Sequence, residues 1–323
     1  MKRIAMVILL LTGFISVDLY GQAGSWISGM PQKTYWWFGH KNEADLHQEN
    51  KPVGLHPPIF GKKRRENGMI LPMPFGEGLN FFIFDQPYTT ENLRMNSSKN
   101  FNIRTDTISS ATTSGEYNIT FRPDVWVFPF LNIYGVIGYG NGQTKLDVTA
   151  PYIILEDLPL IGDVRLDTTV KVNDEISYDG PVYGFGVSGS TGYKGFFILL
   201  NYEYTLSSQN GNTEYNREYQ HFQAKAGMLL GRNSHKTKGA FWFGSMFMHD
   251  NHKLKGEIAT KDIFPGYEAI LGEKIIYTAD DKTTNPWNFI FGGSLNVNDH
   301  HILTAEMGFI ERKQLSVSYT YRF

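Results

Sequence analysis

The last ten residues of the chain, 314–323, alternate between two chemical faces. Leu315, Val317, Tyr319, Tyr321 and Phe323 are apolar or aromatic, and the residues between them are Ser316, Ser318, Thr320 and Arg322. A β-strand places successive side chains on opposite faces, so one face here is apolar and the other polar. In a water-soluble protein the apolar face would meet a packed core. In a membrane barrel it would meet lipid, with the polar face towards the lumen.

The N-terminus predicts export. Lys2 and Arg3 precede an apolar run over residues 4–15, and small residues at 21–23 offer a cleavage site. This pattern is typical of a secretory signal peptide, and the run is short for a membrane span. We therefore expect a signal peptide over 1–23, with a buried N-terminal helix as the alternative. Residues 24–75 are rich in proline and have no sustained period, which predicts an irregular arm on the periplasmic side or in the lumen.

Composition narrows the classes of protein. The chain has no cysteine, so a disulfide framework is excluded. Its net charge of -2 gives no indication of a nucleic-acid partner, and no motif calls for a cofactor. Aromatic residues make up 15% of the chain, and no apolar run after residue 23 has the ~20 residues of a membrane helix. Transmembrane β-strands escape that test because they are apolar only at alternate positions.

Residues 76–323 read as strands and turns. Alternation is clear over 117–128, 131–139, 196–206, 219–231 and 286–297, with a break expected at Pro123, and it is weaker over 164–178 and 254–259. Short connections at 193–195, 298–301 and 311–313 suggest one rim, and long polar ones suggest the other. Aromatic residues near strand ends, including Trp126, Trp242 and Trp287, suggest interfacial girdles. The prediction is an all-β, closed antiparallel transmembrane β-barrel of about 12 strands, within 10–14, and a secreted β-sandwich is the alternative.

The chain also resembles a known type of protein. Its final strand, with Leu315, Val317, Tyr319, Tyr321 and terminal Phe323, resembles the C-terminal assembly signal of bacterial outer-membrane barrels. The stretch 124–135, with 183–186, 192–197 and 287–288, is similar to a poorly characterised family of bacterial outer-membrane β-barrel proteins. Gln22 after the hydrophobic run suits a Bacteroidetes-type exported protein. The resemblance implies location in the outer membrane of a Gram-negative bacterium, with outer-membrane lipid and the barrel-assembly machinery as partners. It implies no biochemical activity and no oligomeric state.

The candidate functional residues are charges on the polar faces. If the apolar faces meet lipid, the lumen receives Arg122, Glu203, Lys225, Glu306 and Arg322. These side chains either pair to brace the barrel or line a water path.

No catalytic or metal-ligating set stands out. Ser234-His235 and Asp280-Asp281 with His300-His301 offer the residue types of outer-membrane hydrolases, but each reads better as a solvated turn. The histidines match no standard metal spacing. We therefore expect that the protein is not an enzyme. The leading hypothesis is a passive channel or uptake barrel for small or hydrophobic molecules. The alternatives are a non-conducting structural or surface-interaction barrel and, more distantly, a lipid hydrolase.

Overall fold

The computed structural model describes residues 58–59, 73–99, 101–105, 108–158, 162–167, 169–193, 195–208, 210–211, 216–231 and 237–323. All of them belong to one compact unit, Tyr35–Phe323; the other unit, Met1–Thr34, lies outside the described residues. The expected signal peptide (1–23) and most of the expected arm (24–75) also lie outside them. Of that arm, residues 58–59 and the start of the first strand are described. There the Ile59 backbone N–H donates to the Val127 carbonyl at 2.8 Å.

The described chain consists of strands and two short helices. In chain order they are β1 (Phe75–Ser97), β2 (Asn102–Arg104), β3 (Ser109–Ser110), β4 (Thr112–Phe128), β5 (Leu131–Ala150), β6 (Ile153–Leu158), β7 (Gly162–Leu166), β8 (Val170–Tyr193), β9 (Phe196–Ser208), β10 (Asn210–Gly211), β11 (Asn216–Leu230), β12 (Thr237–Ala259), α1 (Thr260–Ile263), α2 (Glu268–Leu271), β13 (Lys274–Thr283), β14 (Trp287–Val297), β15 (His301–Phe309) and β16 (Lys313–Arg322). No helix in these ranges is long and apolar enough to cross a bilayer, a finding that concerns helices alone.

Ten of these strands close a barrel within the described residues. The wall runs β1-β4-β5-β8-β9-β11-β12-β14-β15-β16, each strand antiparallel to its neighbours. The last strand returns to the first, with pairs from Gly76↔Arg322 to Asp85↔Lys313. The backbone N–H of Phe323 also donates to the Phe75 carbonyl at 3.0 Å. Closure removes the free sheet edges that lipid cannot satisfy.

The count of ten lies within the predicted range of 10–14 but below its centre of 12. The segment 254–259 is the end of β12, and most of the segment 164–178 belongs to the first half of β8. Both had been counted as separate strands. Pro123 was expected to interrupt β4, but the register with β1 is continuous through it. On the other side, the ladder with β5 has no pairs at Arg122 and Pro123, so the expected local break is present there, and a register shift follows between Trp126 and Phe128.

The outer surface carries an apolar band. Ile137 is 62% exposed and Phe243 is 66% exposed, and similar side chains recur at alternate positions around the wall. On β14 the exposed series runs from Trp287 to Leu295. That strand has 11 residues, and a tilted transmembrane strand needs about 9–11. The described fold is therefore a closed antiparallel transmembrane β-barrel.

The two rims differ. One, called the short-turn rim, is formed by connections 129–130, 194–195, 231–236 and 298–300 and by the start of β1 and the end of β16. The other, called the long-loop rim, carries the connections 98–111, 151–169, 209–215, 260–286 and 310–312. The turn near 311–313 had been grouped with the first rim. It lies on the second, because strand direction alternates around the barrel.

Beyond the band, several strands continue past the long-loop rim and enclose an apolar core. β13 pairs there with the ends of both β1 and β12. The core, called the apolar cap, is defined by its buried members Leu93, Met95, Ile103, Leu146, Val148, Ala150, Ile153, Val170, Val172, Ile176, Phe264, Leu271, Ile275, Tyr277 and Ala279. Two members of the apolar cap come from the helical segment: Phe264, just after α1, and Leu271, the last residue of α2.

Candidate functional site

The inward faces of the wall strands bring the predicted charges into pairs. Arg122 on β4 meets Glu203 on β9, and each Nη atom lies 3.1 Å from one of its carboxylate oxygens. The Tyr134 hydroxyl donates to the same carboxylate at 2.9 Å. The Arg122 Nε donates to the Thr120 hydroxyl at 3.2 Å. Two donor groups from facing strands thus hold one carboxylate inside the barrel.

The second pair is Lys225 on β11 with Glu306 on β15. The Trp242 indole N–H donates to this carboxylate at 2.9 Å, and the Lys225 ammonium lies 5.5 Å from the Trp242 ring centroid. Trp242 had been expected in an exterior girdle. It is buried and faces inward, because it lies an even number of residues from Met246 and Met248 on β12, whose side chains are also buried. The buried indole N–H then finds its acceptor across the lumen.

Arg322 forms the third predicted ion-pair site, at the end of the lumen next to the short-turn rim. Its Nη2 donates to Asp124 at 2.7 Å, and its Nη1 donates to the Met73 carbonyl at 3.0 Å. Its guanidinium lies 5.7 Å from the Trp126 ring centroid. Trp126, also expected in a girdle, is buried here. All five predicted lumen residues therefore face inward, and each is engaged with an opposite charge.

A further charged cluster crosses the lumen towards the long-loop rim. We call it the closure layer and define it as Tyr88, Glu116, Tyr178, Arg217, Tyr219 and Asp250, which come from five wall strands. Arg217 lies between two carboxylates, with Nη1 3.3 Å from Glu116 and Nη2 2.8 Å from Asp250. Arg217 is 1% exposed and Asp250 is 0% exposed, so water does not reach either.

The three tyrosines of the closure layer complete the hydrogen bonding. The Tyr88 hydroxyl donates to Asp250 at 2.6 Å, and the Tyr219 hydroxyl donates to Glu116 at 2.5 Å. The Tyr178 hydroxyl contacts Arg217, whose guanidinium lies 5.0 Å from the Tyr178 ring centroid. The Tyr178 ring can reach the lumen because Gly142 opposite has no side chain; a Cβ there would lie 2.4 Å from it.

A second buried arginine, Arg312, directly precedes β16 and contacts the inward side chain of Gln86 on β1. Arg312 donates to the Gln86 side chain at 3.0 Å and to the Gln314 side chain at 2.6 Å. No carboxylate among the described residues forms an ion pair with it. Two arginines and two carboxylates, Glu116 and Asp250, thus carry buried charge here, and the buried Asp281 lies beside them, where it accepts from the Thr90 hydroxyl at 2.6 Å. Sequence reasoning missed all four.

Below the closure layer the lumen holds a cavity of about 270 Å³. Its walls include both ion pairs, Arg122–Glu203 and Lys225–Glu306, and its inner end is bounded by Glu116 and Tyr219.

Exposure of the inward-facing side chains shows where the cavity opens. Asn201, Thr304 and Ser318, in the half nearer the short-turn rim, are partly exposed. Towards the long-loop rim, inward side chains such as Thr90 and Ser114 are fully buried. The cavity is therefore open at the short-turn rim and blind at the closure layer, with the apolar cap beyond.

The residues of the expected assembly signal lie on the outer face of β16. Tyr319, Tyr321 and Phe323 are exposed, and Val317 is partly exposed. The Tyr321 and Phe323 rings stack with centroids 6.3 Å apart. Leu315 follows the same alternation but is 3% exposed, opposite Ile83 and Met307.

The other candidate residues do not converge on one site. Ser234 and His235 lie outside the described residues. Asp280 and Asp281 are on β13 near the long-loop rim, where they bond to Asn92 and Thr90. His300 and His301 are at the short-turn rim, bonded to the Arg322 carbonyl and the Tyr319 hydroxyl. The described ranges contain no group of three or more metal-ligating side chains placed to hold an ion.

No known family model matches the chain. No curated protein matches it either. Among solved structures, it is similar to the outer membrane protein OprG from Pseudomonas aeruginosa, with 9% identity over 78% of this chain and 98% of that one, at a TM-score of 0.37. The β domain of the Bordetella autotransporter BrkA has 11% identity over 77% and 100%, at 0.35. An outer membrane channel from Pseudomonas putida F1 has 11% identity over 79% and 97%, at 0.30. The strand pairing itself, rather than these likenesses, establishes the fold.

Proposed function

We propose that this protein is an outer-membrane barrel of a Gram-negative bacterium that is closed to free diffusion and serves as a structural or surface-interaction barrel. The observation that carries the proposal is the closure layer, in which Arg217, Glu116 and Asp250 bridge the lumen from three strands. Outer-membrane lipid and the barrel-assembly machinery are the partners that this proposal includes, with β16 as the strand the machinery recognises.

Two barriers of different chemistry oppose passage. An ion crossing the closure layer would have to separate buried charges, and breaking a buried pair costs about 3–5 kcal/mol. Beyond it, the buried members of the apolar cap, such as Leu93, Val148 and Ile275, are apolar side chains apart from Tyr277, whose hydroxyl donates to Asp174. An apolar constriction excludes water and ions by dewetting. Neither barrier depends on the other.

Planar-bilayer recording of the full, refolded protein tests the proposal. We expect no discrete conductance steps, while a general porin reconstituted into the same bilayers gives them. Liposome swelling with small sugars should likewise show no uptake above that of empty vesicles. Discrete steps from the wild-type protein, with a unit conductance reproducible between preparations, would sink the proposal.

A gated channel or uptake barrel for small or hydrophobic molecules is the second candidate, favoured by the cavity below the closure layer. A gate must move, and the segment 260–272 with its two helices is a connection between strands that contributes Phe264 and Leu271 to the cap. A variant that shortens 260–272 to a tight turn and carries Arg217→Ala, Glu116→Ala and Asp250→Ala would remove the charges of the closure layer and two members of the apolar cap, Phe264 and Leu271. Conductance that appears in this variant and also, intermittently, in the wild type would favour the gated channel.

A further inference from the structure

We infer that the lumen cavity is a binding site for a small hydroxylated carboxylate that enters from the short-turn rim. The inference does not depend on whether the barrel conducts, since a ligand reaches the cavity directly from the short-turn rim. It rests on three properties of the cavity wall: which charges are exposed, which hydrogen-bonding groups are already used, and what lies beside them.

The positive partner is the more exposed one in both ion pairs of the cavity. The Arg122 side chain is 28% exposed and that of Glu203 only 7%. The Lys225 side chain is 14% exposed and that of Glu306 only 6%. Within these two pairs a solute therefore contacts the guanidinium and ammonium groups more readily than Glu203 and Glu306; the cavity wall also carries Asp124 and Glu116, which are paired with Arg322 and Arg217. That order of exposure favours a negatively charged group on the ligand.

Each carboxylate is bonded to two different side chains, whereas Arg122 keeps N–H donors that are not used. Glu203 accepts from Arg122 and the Tyr134 hydroxyl, and Glu306 accepts from Lys225 and the Trp242 indole. A guanidinium has five N–H donors, and Arg122 uses three of them, on Thr120 and on both oxygens of Glu203. Two donors remain on Arg122, and planar N–H donors of this kind suit a carboxylate.

Hydroxyl and amide groups without side-chain partners surround these donors. Thr304 on β15, Ser318 and Thr320 on β16, and Asn118 on β4 line the cavity, and none forms a side-chain hydrogen bond within the described part of the chain. These three hydroxyls and one amide suit a ligand that carries hydroxyls of its own. The cavity of about 270 Å³ has room for about nine waters at ~30 Å³ each, the scale of a six-carbon sugar acid.

Calorimetric titration of the full-length protein in detergent tests this, with gluconate, glucose and glucosamine as probes. The three share a hydroxylated skeleton and differ in charge. We expect gluconate to bind with a Kd at least about tenfold below that of glucose, a difference of about 1.4 kcal/mol. Glucosamine should bind no better than glucose. Equal affinity for gluconate and glucose, or no gluconate binding, would overturn the inference.

Variants localise the site. The double variant Arg122→Gln/Glu203→Gln removes the pair together, so that no buried charge is left alone, and it should weaken gluconate binding at least about tenfold. Thr304→Val should weaken gluconate and glucose together. Lys238→Gln is the control, because Lys238 pairs with Asp299 near the short-turn rim and does not line the cavity. A loss in the control equal to that in the double variant would refute the assignment, because binding would then follow general surface charge.

Discussion

Replacing Arg217 by methionine should destabilise the folded barrel by about 3–5 kcal/mol, the cost of leaving buried charges without their counter-ion. The Glu116 and Asp250 side chains are 2% and 0% exposed, so neither can recover hydration in place. Methionine keeps much of the volume of the side chain but supplies no donor. The tyrosine hydroxyls on both carboxylates remain, but they cannot replace a positive charge.

The measurement is urea unfolding of the protein in phospholipid vesicles, followed by tryptophan fluorescence and by heat-modifiable migration on gels. Lys282→Met is the matched control. Lys282 also pairs with a carboxylate, that of Glu91, at 2.6 Å, but its side chain is 56% exposed. An exposed pair contributes about 0–1 kcal/mol, so this variant should unfold close to the wild type.

A triple variant separates charge from packing. Arg217→Met combined with Glu116→Gln and Asp250→Asn leaves no buried charge in the closure layer, and apolar or neutral replacement of a buried ionic set is often neutral or stabilising. The triple variant should therefore recover most of the stability that Arg217→Met loses. The reasoning is refuted if Arg217→Met unfolds within about 1 kcal/mol of the wild type, or if the triple variant is no more stable than the single one.

Three further substitutions test the band, the cap and the wall, all in the same unfolding assay. Phe243→Lys on the exposed band should cost about 2–4 kcal/mol if it lies near the bilayer midplane, whereas Tyr267→Lys, exposed outside the wall strands, should cost little; equal effects would contradict the placement of the band. Leu93→Ala in the apolar cap should cost about 2–5 kcal/mol through lost burial and a cavity, and a change below about 1 kcal/mol would show that the cap is loosely packed. Gly138→Val should prevent heat-modifiable folding, because a Cβ there would lie 2.1 Å from the Ile119 carbonyl, and normal migration would contradict that close approach.

The wall strands were predictable where one face meets lipid and the other a polar lumen. The interval 286–297 was expected as a strand, and β14 is Trp287–Val297; 196–206 was expected, and β9 is Phe196–Ser208. Within the band, most outward positions are apolar and most inward ones are polar, so a period of two survives in the sequence. Trp126 and Trp242 are exceptions to this pattern, because their large rings face inward and are buried next to Arg322 and Glu306.

The closure layer was missed because its residues lie at or beyond the ends of the predicted strands. Glu116 precedes the strand expected from Tyr117, and Arg217 precedes the strand expected from 219. Asp250 follows a further strand that the alternation predicts over 239–249. Glu116 lies an even number of residues from Arg122 on β4, and Arg217 lies an even number from Lys225 on β11. The alternation that places Arg122 and Lys225 in the lumen therefore places these residues there too. Extending each strand by two residues at its long-loop end would have brought Glu116, Arg217 and Asp250 to the inward face together.

The cap could not be read from the sequence, because the polarity of the two faces reverses along a single strand. On β1, outward Leu79, Phe81 and Ile83 face the lipid, and outward Asp85 is already solvent-exposed. The inward face becomes apolar further along, at Leu93 and Met95. A bulge also intervenes: the register with β13 shifts between Glu91 and Arg94, where Asn92 has a φ of 53°. The extra residue moves the buried positions of β1 from even numbers, up to Thr90, to odd numbers, from Leu93 onward. A simple alternation of two therefore cannot be followed through the bulge into the cap.

The closure layer lies where the polar lumen changes into the apolar cap, and its composition follows from that position. Charges alone would be poorly solvated against the cap, and apolar residues alone would leave the lumen polar groups without partners. Tyrosine meets both needs, because its ring is apolar and its hydroxyl donates a hydrogen bond. Tyr88 and Tyr219 place their hydroxyls on Asp250 and Glu116 while their rings fill the cross-section. The barrel is therefore sealed by side chains of the wall itself, and opening it requires the strands or these rings to move.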